Sequence, residues 1–158
     1  MLLFDLRSCG QSDGARFTLG KDEPRDLLGA YDFMKTRGYP PARMVVLGVS
    51  LGAATEIEAA AQMPDVGAMV SDSAYADLRP VLNDRLRKDS PLPFFFDLGI
   101  VTSASLFYGV NPDLRPIDAV RSLGNRAFLF IQASHDDWYP DSNAVDLYHA
   151  LPIRRAAC

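Results

Sequence analysis

Apolar positions along this chain follow two rhythms: short continuous runs, and sets spaced three or four residues apart. Residues 1–5 are a short apolar run that gives way to a turn-rich stretch from Arg7 to Gly14, which predicts a buried strand feeding a loop. In 22–37, Leu27, Leu28, Tyr31 and Met34 recur at helical spacing; Gly38 stops the run and Pro40 and Pro41 follow it. Residues 43–48 form an apolar strand of the kind found where helices cover both faces of a sheet. The Ala-rich stretch 50–63 is helical and ends at Pro64. Residues 67–71 predict a third strand, 77–88 a helix, 117–123 a short helix, 127–131 a fourth strand and 141–151 a final helix. The aromatic-rich stretch 91–111 shows no clear rhythm. Strands alternating with helices predict an α/β fold, a three-layer sandwich around a mostly parallel sheet, formed by residues 1–158 as one domain.

Composition agrees with one globular domain: 158 residues, 48% apolar and 23% charged. A net charge of -4 argues against a nucleic-acid partner, which would select a basic face. No run approaches the roughly 18 apolar residues of a membrane span. The first ten residues lack the basic start of a secretory leader, so a cytoplasmic chain is expected. Cys9 and Cys158 sit at opposite ends without metal-ligand spacing, and read as free thiols in a reducing compartment. No metal or organic cofactor is implied.

The chemistry starts at Gly48-Val49-Ser50-Leu51-Gly52, a G-x-S-x-G sequence between a strand and a helix. Two glycines let strand and helix approach closely. The serine on the tight turn would project its hydroxyl above the sheet, as a nucleophile does. The N–H of Leu51, at the helix start, would stabilise an oxyanion. The plainer alternative is that Ser50 only caps the helix; a strand before it and a helix after it favour the nucleophile.

With these residues the chain resembles the bacterial esterase/lipase-like branch of the α/β-hydrolase superfamily. Phe4-Asp5-Leu6-Arg7 followed by Gly10-Gln11-Ser12-Asp13-Gly14 is similar to that family's fourth strand and its D-x-R-G-x-G-x-S-x-G turn, with Ser8 where glycine is usual. Leu47 to Ala54 resembles the turn that carries the nucleophile, and Val70 to Leu78 the strand and loop after it. Ile131 to Pro140 resembles the late strand and acid loop, commonly I-H-G-x-x-D-x-x-x-P, with Gln132 and Ala133 replacing His-Gly. The resemblance implies a partial α/β-hydrolase core over 1–158 with a lid-like insertion at 78–116. It assigns Ser50 as nucleophile, Asp136 as triad acid beside Asp137, Leu51 as oxyanion donor, and small acyl esters as substrates. Asp136 has a plainer reading too, as a solvated loop acid or a helix cap; Asp141 and Ser142 read as caps of the last helix.

Other parts of the family pattern have no counterpart. The order of this fold is Ser, acid, His. The only histidine after Asp136 is His149, inside the final helix, and His135 reads as a loop residue beside the acid. Met1 opens on what resembles the fourth strand, so the loop that supplies a second oxyanion donor has no counterpart here. The tail 153–158 matches nothing in the family. The family's third strand lies between the fourth and fifth, so either a gap or a new pairing between 1–5 and 43–48 is expected. Unpaired apolar edges there and at 127–131 predict a homodimer or larger assembly. Phe94, Phe95, Phe96 and Phe107 would line an acyl pocket, form a subunit contact, or pack on the sheet. Two functions follow: an esterase whose base is missing or borrowed, as from His149 of the partner subunit, or a non-catalytic remnant or fragment serving as an oligomeric scaffold.

Overall fold

The computed structural model describes residues 1–14, 16–89, 96–124, 126–136 and 142–152. Helix α1 (Pro24–Thr36) starts on a proline at its first position, with Asp26 in its first turn and Lys35 in its last, so both ends suit the helix dipole. Strand β1 (Val45–Val49) leads through one residue into α2 (Leu51–Ala59), which a 3-10 turn, Ala60–Gln62, closes. Strand β2 (Ala68–Asp72) is followed by α3 (Leu78–Asp89), α4 (Asp97–Ser103) and a π-type turn, Ala104–Tyr108. Helix α5 (Pro116–Ser122), strand β3 (Phe128–Ile131) and α6 (Ser142–Ala150) complete the order.

The strands form one parallel sheet in the order β1-β2-β3, with Val45 opposite Ala68 and Met69 opposite Phe128. Each connection crosses by way of helices, as parallel pairing requires. Alternation sends Val46, Met69, Phe128 and Phe130 to one face, where they meet Leu27 and Tyr31 of α1, Ile57 of α2, Val120 of α5 and Leu147 of α6. Phe128 and Phe130, two apart on that face, stack with centroids 5.3 Å apart. The result is a parallel sheet flanked by helices, as the alternation of runs predicted. On the opposite face Val45, Leu47 and Val49 remain 57–66% exposed, beside exposed Leu129 and Ile131.

One expected element is absent. Residues 1–5 pair with no strand, and Met1, Leu2, Leu3 and Phe4 are exposed. Of the two arrangements expected there, the structure has the gap. An apolar run becomes a strand only where a neighbour supplies hydrogen bonds, and among the described residues no strand pairs with this one. The stretch after it is well anchored. Arg7 holds Asp26 of α1 with its Nε and Nη2 groups, at 2.7–3.1 Å. Ser8, where the resemblance has glycine, takes φ 59°, a conformation glycine enters freely. Among the described residues no helix is long and apolar enough to cross a membrane.

Candidate active site

Three strand ends meet at one edge of the sheet. The register pairs Val49 with Asp72 and Asp72 with Ile131. Just beyond, the Ser50 N–H donates to the Asp72 carbonyl and the Ser73 N–H to the Ile131 carbonyl, each at 2.8 Å. Ligands of parallel α/β sheets gather at this carboxyl edge.

Ser50 stands between β1 and α2 at φ 53° and ψ -115°, a conformation that costs a non-glycine residue about 1–3 kcal/mol. The cause is the closeness of strand and helix: a Cβ on Gly48 would overlap the Gly52 carbonyl. Ser50 caps α2 with its backbone, its carbonyl accepting from the Ala53 and Ala54 N–H groups at 3.1 Å, while its hydroxyl makes no capping bond. Leu51 opens α2, where the first backbone N–H groups have no acceptor within the helix.

Asp136 lies half-buried in the loop after β3 and accepts from Gln132 Nε2 at 2.8 Å. The glutamine that departs from the family pattern thus holds the acid expected there. Asp137 and Asp141 lie outside the described residues, as do Phe94, Phe95, Cys158 and the tail 153–158. His135 is exposed on the same loop, its Nδ1 3.1 Å from Ser134 Oγ. His149 is exposed in the last turn of α6, about 10 Å down the helix axis from its start. Ser50, Asp136 and His135 therefore share the carboxyl edge, and His149 lies toward the other end of its helix. Phe96 and Phe107 are exposed, and Cys9 is a half-buried free thiol.

Two carboxyl groups near the edge escaped the sequence analysis. Asp72 ends the central strand, directly between the turn at Ser50 and the Asp136 loop, and accepts from Ser73 Oγ at 2.9 Å. Its signal was its place at the end of the strand next to β1. Glu56 is fully buried on α2, where Ser71 Oγ donates to its Oε1. Burial pushes its pKa up to about 9, opposed by the Ser71 hydroxyl and the nearby Gly48 amide. Its signal was helical spacing, since Ala53, Ile57 and Ala60 share its inward stripe. A cavity of about 440 Å³ runs from Phe4 and Asp5 past Cys9 and β1 to Ser50, with Thr55 and Glu56 in its wall. Among the described residues no group of three or more His, Cys, Asp or Glu side chains is placed to hold a metal ion.

No family model and no curated protein matches the sequence. Solved structures do. An esterase of Pyrococcus furiosus superposes with a TM-score of 0.71 at 23% identity, over 92% of this chain and 54% of its own. The esterase domain of a Rhodothermus marinus protein gives 0.55 at 25% identity, over 84% of this chain and 54% of its own. An enol-lactonase of Burkholderia xenovorans gives 0.60 at 17% identity, over 94% of this chain and 67% of its own. The chain thus spans about half the length of the two esterases. Strand order, crossover helices and these superpositions agree: the chain has the α/β-hydrolase fold, over part of that fold's length.

Proposed function

We propose that the chain is a serine hydrolase acting on small acyl esters, with Ser50 as nucleophile. Ser50 Oγ would bond to the acyl carbon, the alcohol would leave with a proton, and water would then release the acid from the acyl-serine. The Leu51 N–H would stabilise the tetrahedral oxyanion, and Asp136 would serve as the acid of the charge network. The observation that carries this reading is the backbone of Ser50: a strained strand-to-helix turn at the carboxyl edge, with a hydroxyl not spent on capping. That the neighbours include esterases supports the substrate class.

A serine hydroxyl attacks quickly only when a base takes its proton, so the rate reports on that base. Of the two histidines, His135 is on the loop at the carboxyl edge. Hydrolysis of p-nitrophenyl acetate and butyrate by the wild type, Ser50→Ala, His135→Ala and His149→Ala tests the reading. Ser50→Ala should fall to the rate of a buffer blank; full activity in that variant removes Ser50 from the mechanism. Loss in His149→Ala as well would implicate a histidine borrowed across subunits.

The second reading, a scaffold without turnover, is favoured by the position of His149 late in α6. Exposed Val45, Leu47, Val49, Leu129 and Ile131 support the oligomer that either reading includes. A monomer in gel filtration at micromolar concentration would count against that assembly.

A further inference from the structure

Beside the first turn of α2, one buried carboxylate ties a loop together. Glu23, fully buried just ahead of α1, accepts from the Thr18 N–H and the Thr18 hydroxyl, each at 2.7 Å, and from the Gly20 N–H at 2.8 Å. The Thr18 hydroxyl in turn accepts from the Asp22 N–H at 2.9 Å. Among the described residues Glu23 forms no salt bridge, so these donors alone offset its burial. Burial pushes its pKa up, and the Thr18 hydroxyl with the Thr18 and Gly20 amides more than reverses that, holding it below its ordinary value.

The clasp fixes a strained turn. Leu19, between the two gripped amides, sits at φ 56°, and Gly20 at φ 100°. A non-glycine residue keeps such a conformation only where its surroundings over-determine it. The Leu19 carbonyl accepts from the Tyr75 hydroxyl at 2.7 Å. Tyr75 is buried in the loop after β2 and packs in one cluster with Ala54 of α2. A Cβ on Gly20 would overlap the Tyr75 hydroxyl and lie 3.9 Å from Leu51 Cδ1. Leu51 therefore has strained Ser50 before it in the chain and this strained turn beside its side chain.

We propose that Glu23 is a positioning residue for the reaction at Ser50, acting through the Leu19–Gly20 turn and Tyr75 on the aim of the Leu51 N–H. The proposal rests on the reading of Ser50 as nucleophile and adds to it a residue on another element. A carboxylate suits the task, because its bonds to N–H and O–H donors are charge-assisted, shorter and stronger than those of a neutral acceptor. An oxyanion is stabilised by a donor that is in place before the charge forms. Slack in the turn therefore lowers the rate of the chemical step and leaves ground-state binding alone.

The test compares wild type, Ser50→Ala, Glu23→Gln, Tyr75→Phe and the double variant of the last two, with p-nitrophenyl butyrate as substrate and NMR of the Leu51 amide. Glu23→Gln puts an NH2 donor where an acceptor oxygen stood. Tyr75→Phe removes only the hydroxyl that reaches Leu19, and decides the matter by itself if Glu23→Gln does not fold. Each single variant should lower kcat about tenfold or more with KM little changed. The double variant should fall no further than the slower single one, since both act through one turn. All three should move the Leu51 amide resonance. Wild-type kcat in the variants while Ser50→Ala is inactive overturns the proposal and leaves the nucleophile standing. An additive double variant, a rise in KM alone or an unmoved Leu51 resonance overturns it too. A Ser50→Ala protein as fast as the wild type removes the nucleophile, and the proposal with it.

Discussion

Glu56 enters the fold as a neutral acid, and its protonation couples folding to pH. Its pKa rises from 4.5 to about 9 on burial. Below pH 4.5 both folded and unfolded chains carry the proton, and its stabilising contribution is whole. Between 4.5 and about 9 the folded chain keeps a proton that the unfolded chain has lost, so stability falls as pH rises, by about 1.4 kcal/mol per unit at the steepest. Glu56→Gln keeps an acceptor for Ser71 and cannot ionise. Urea unfolding of both proteins from pH 5 to 8 should show the variant losing less stability with pH, its advantage widening toward pH 8. Parallel slopes would mean that Glu56 is ionised in the fold. This residue also shows how far the site was legible. Ser50 announced itself through glycines on both sides. Asp136 was named through resemblance alone, because a loop acid has no local signature of its own. Glu56 passed unnoticed because a charged letter in an Ala-rich helix reads as solvated surface until its stripe is known to face the sheet.

At the scale of elements, β1 and α2 depend on a single close approach. A Cβ on Gly48 would overlap the Gly52 carbonyl, and backbone yields less readily than a side chain. Gly48→Ala should therefore cost about 1–3 kcal/mol in chemical denaturation and move Ser50 as well. Gly52→Ala, where an added Cβ meets nothing within 4 Å, should leave stability nearly unchanged. Equal losses in the two variants would deny the crossing its role. The elements were legible to within a residue or two: 43–48 became Val45–Val49 and 117–123 became Pro116–Ser122, since apolar runs punctuated by Gly and Pro carry local information. Residues 1–5 carried the same local signal and formed no strand, because pairing depends on a neighbour that local pattern cannot report. The stretch 91–111 hid α4 and its π-type turn because Phe96, Leu98, Leu106 and Phe107 are exposed, which erases the apolar period.

For the whole molecule, the bare sheet face of Val45, Leu47, Val49, Leu129 and Ile131 adds apolar surface to what water reaches. The chain's accessible area is 9803 Å², where a compact monomer of 17.4 kDa has about 7,900 Å². Less apolar area is therefore hidden from water than a domain of this length ordinarily hides. Unfolding 158 residues would ordinarily raise the heat capacity by about 2 kcal/mol/K. Scanning calorimetry should find a smaller step here, and urea titration a correspondingly shallow m-value; a full-sized step would mean that the exposed face is covered in solution. A small heat-capacity step also flattens the stability curve. The chain should respond weakly to cooling as well as to warming, and covering its bare sheet face should steepen both limbs of that curve.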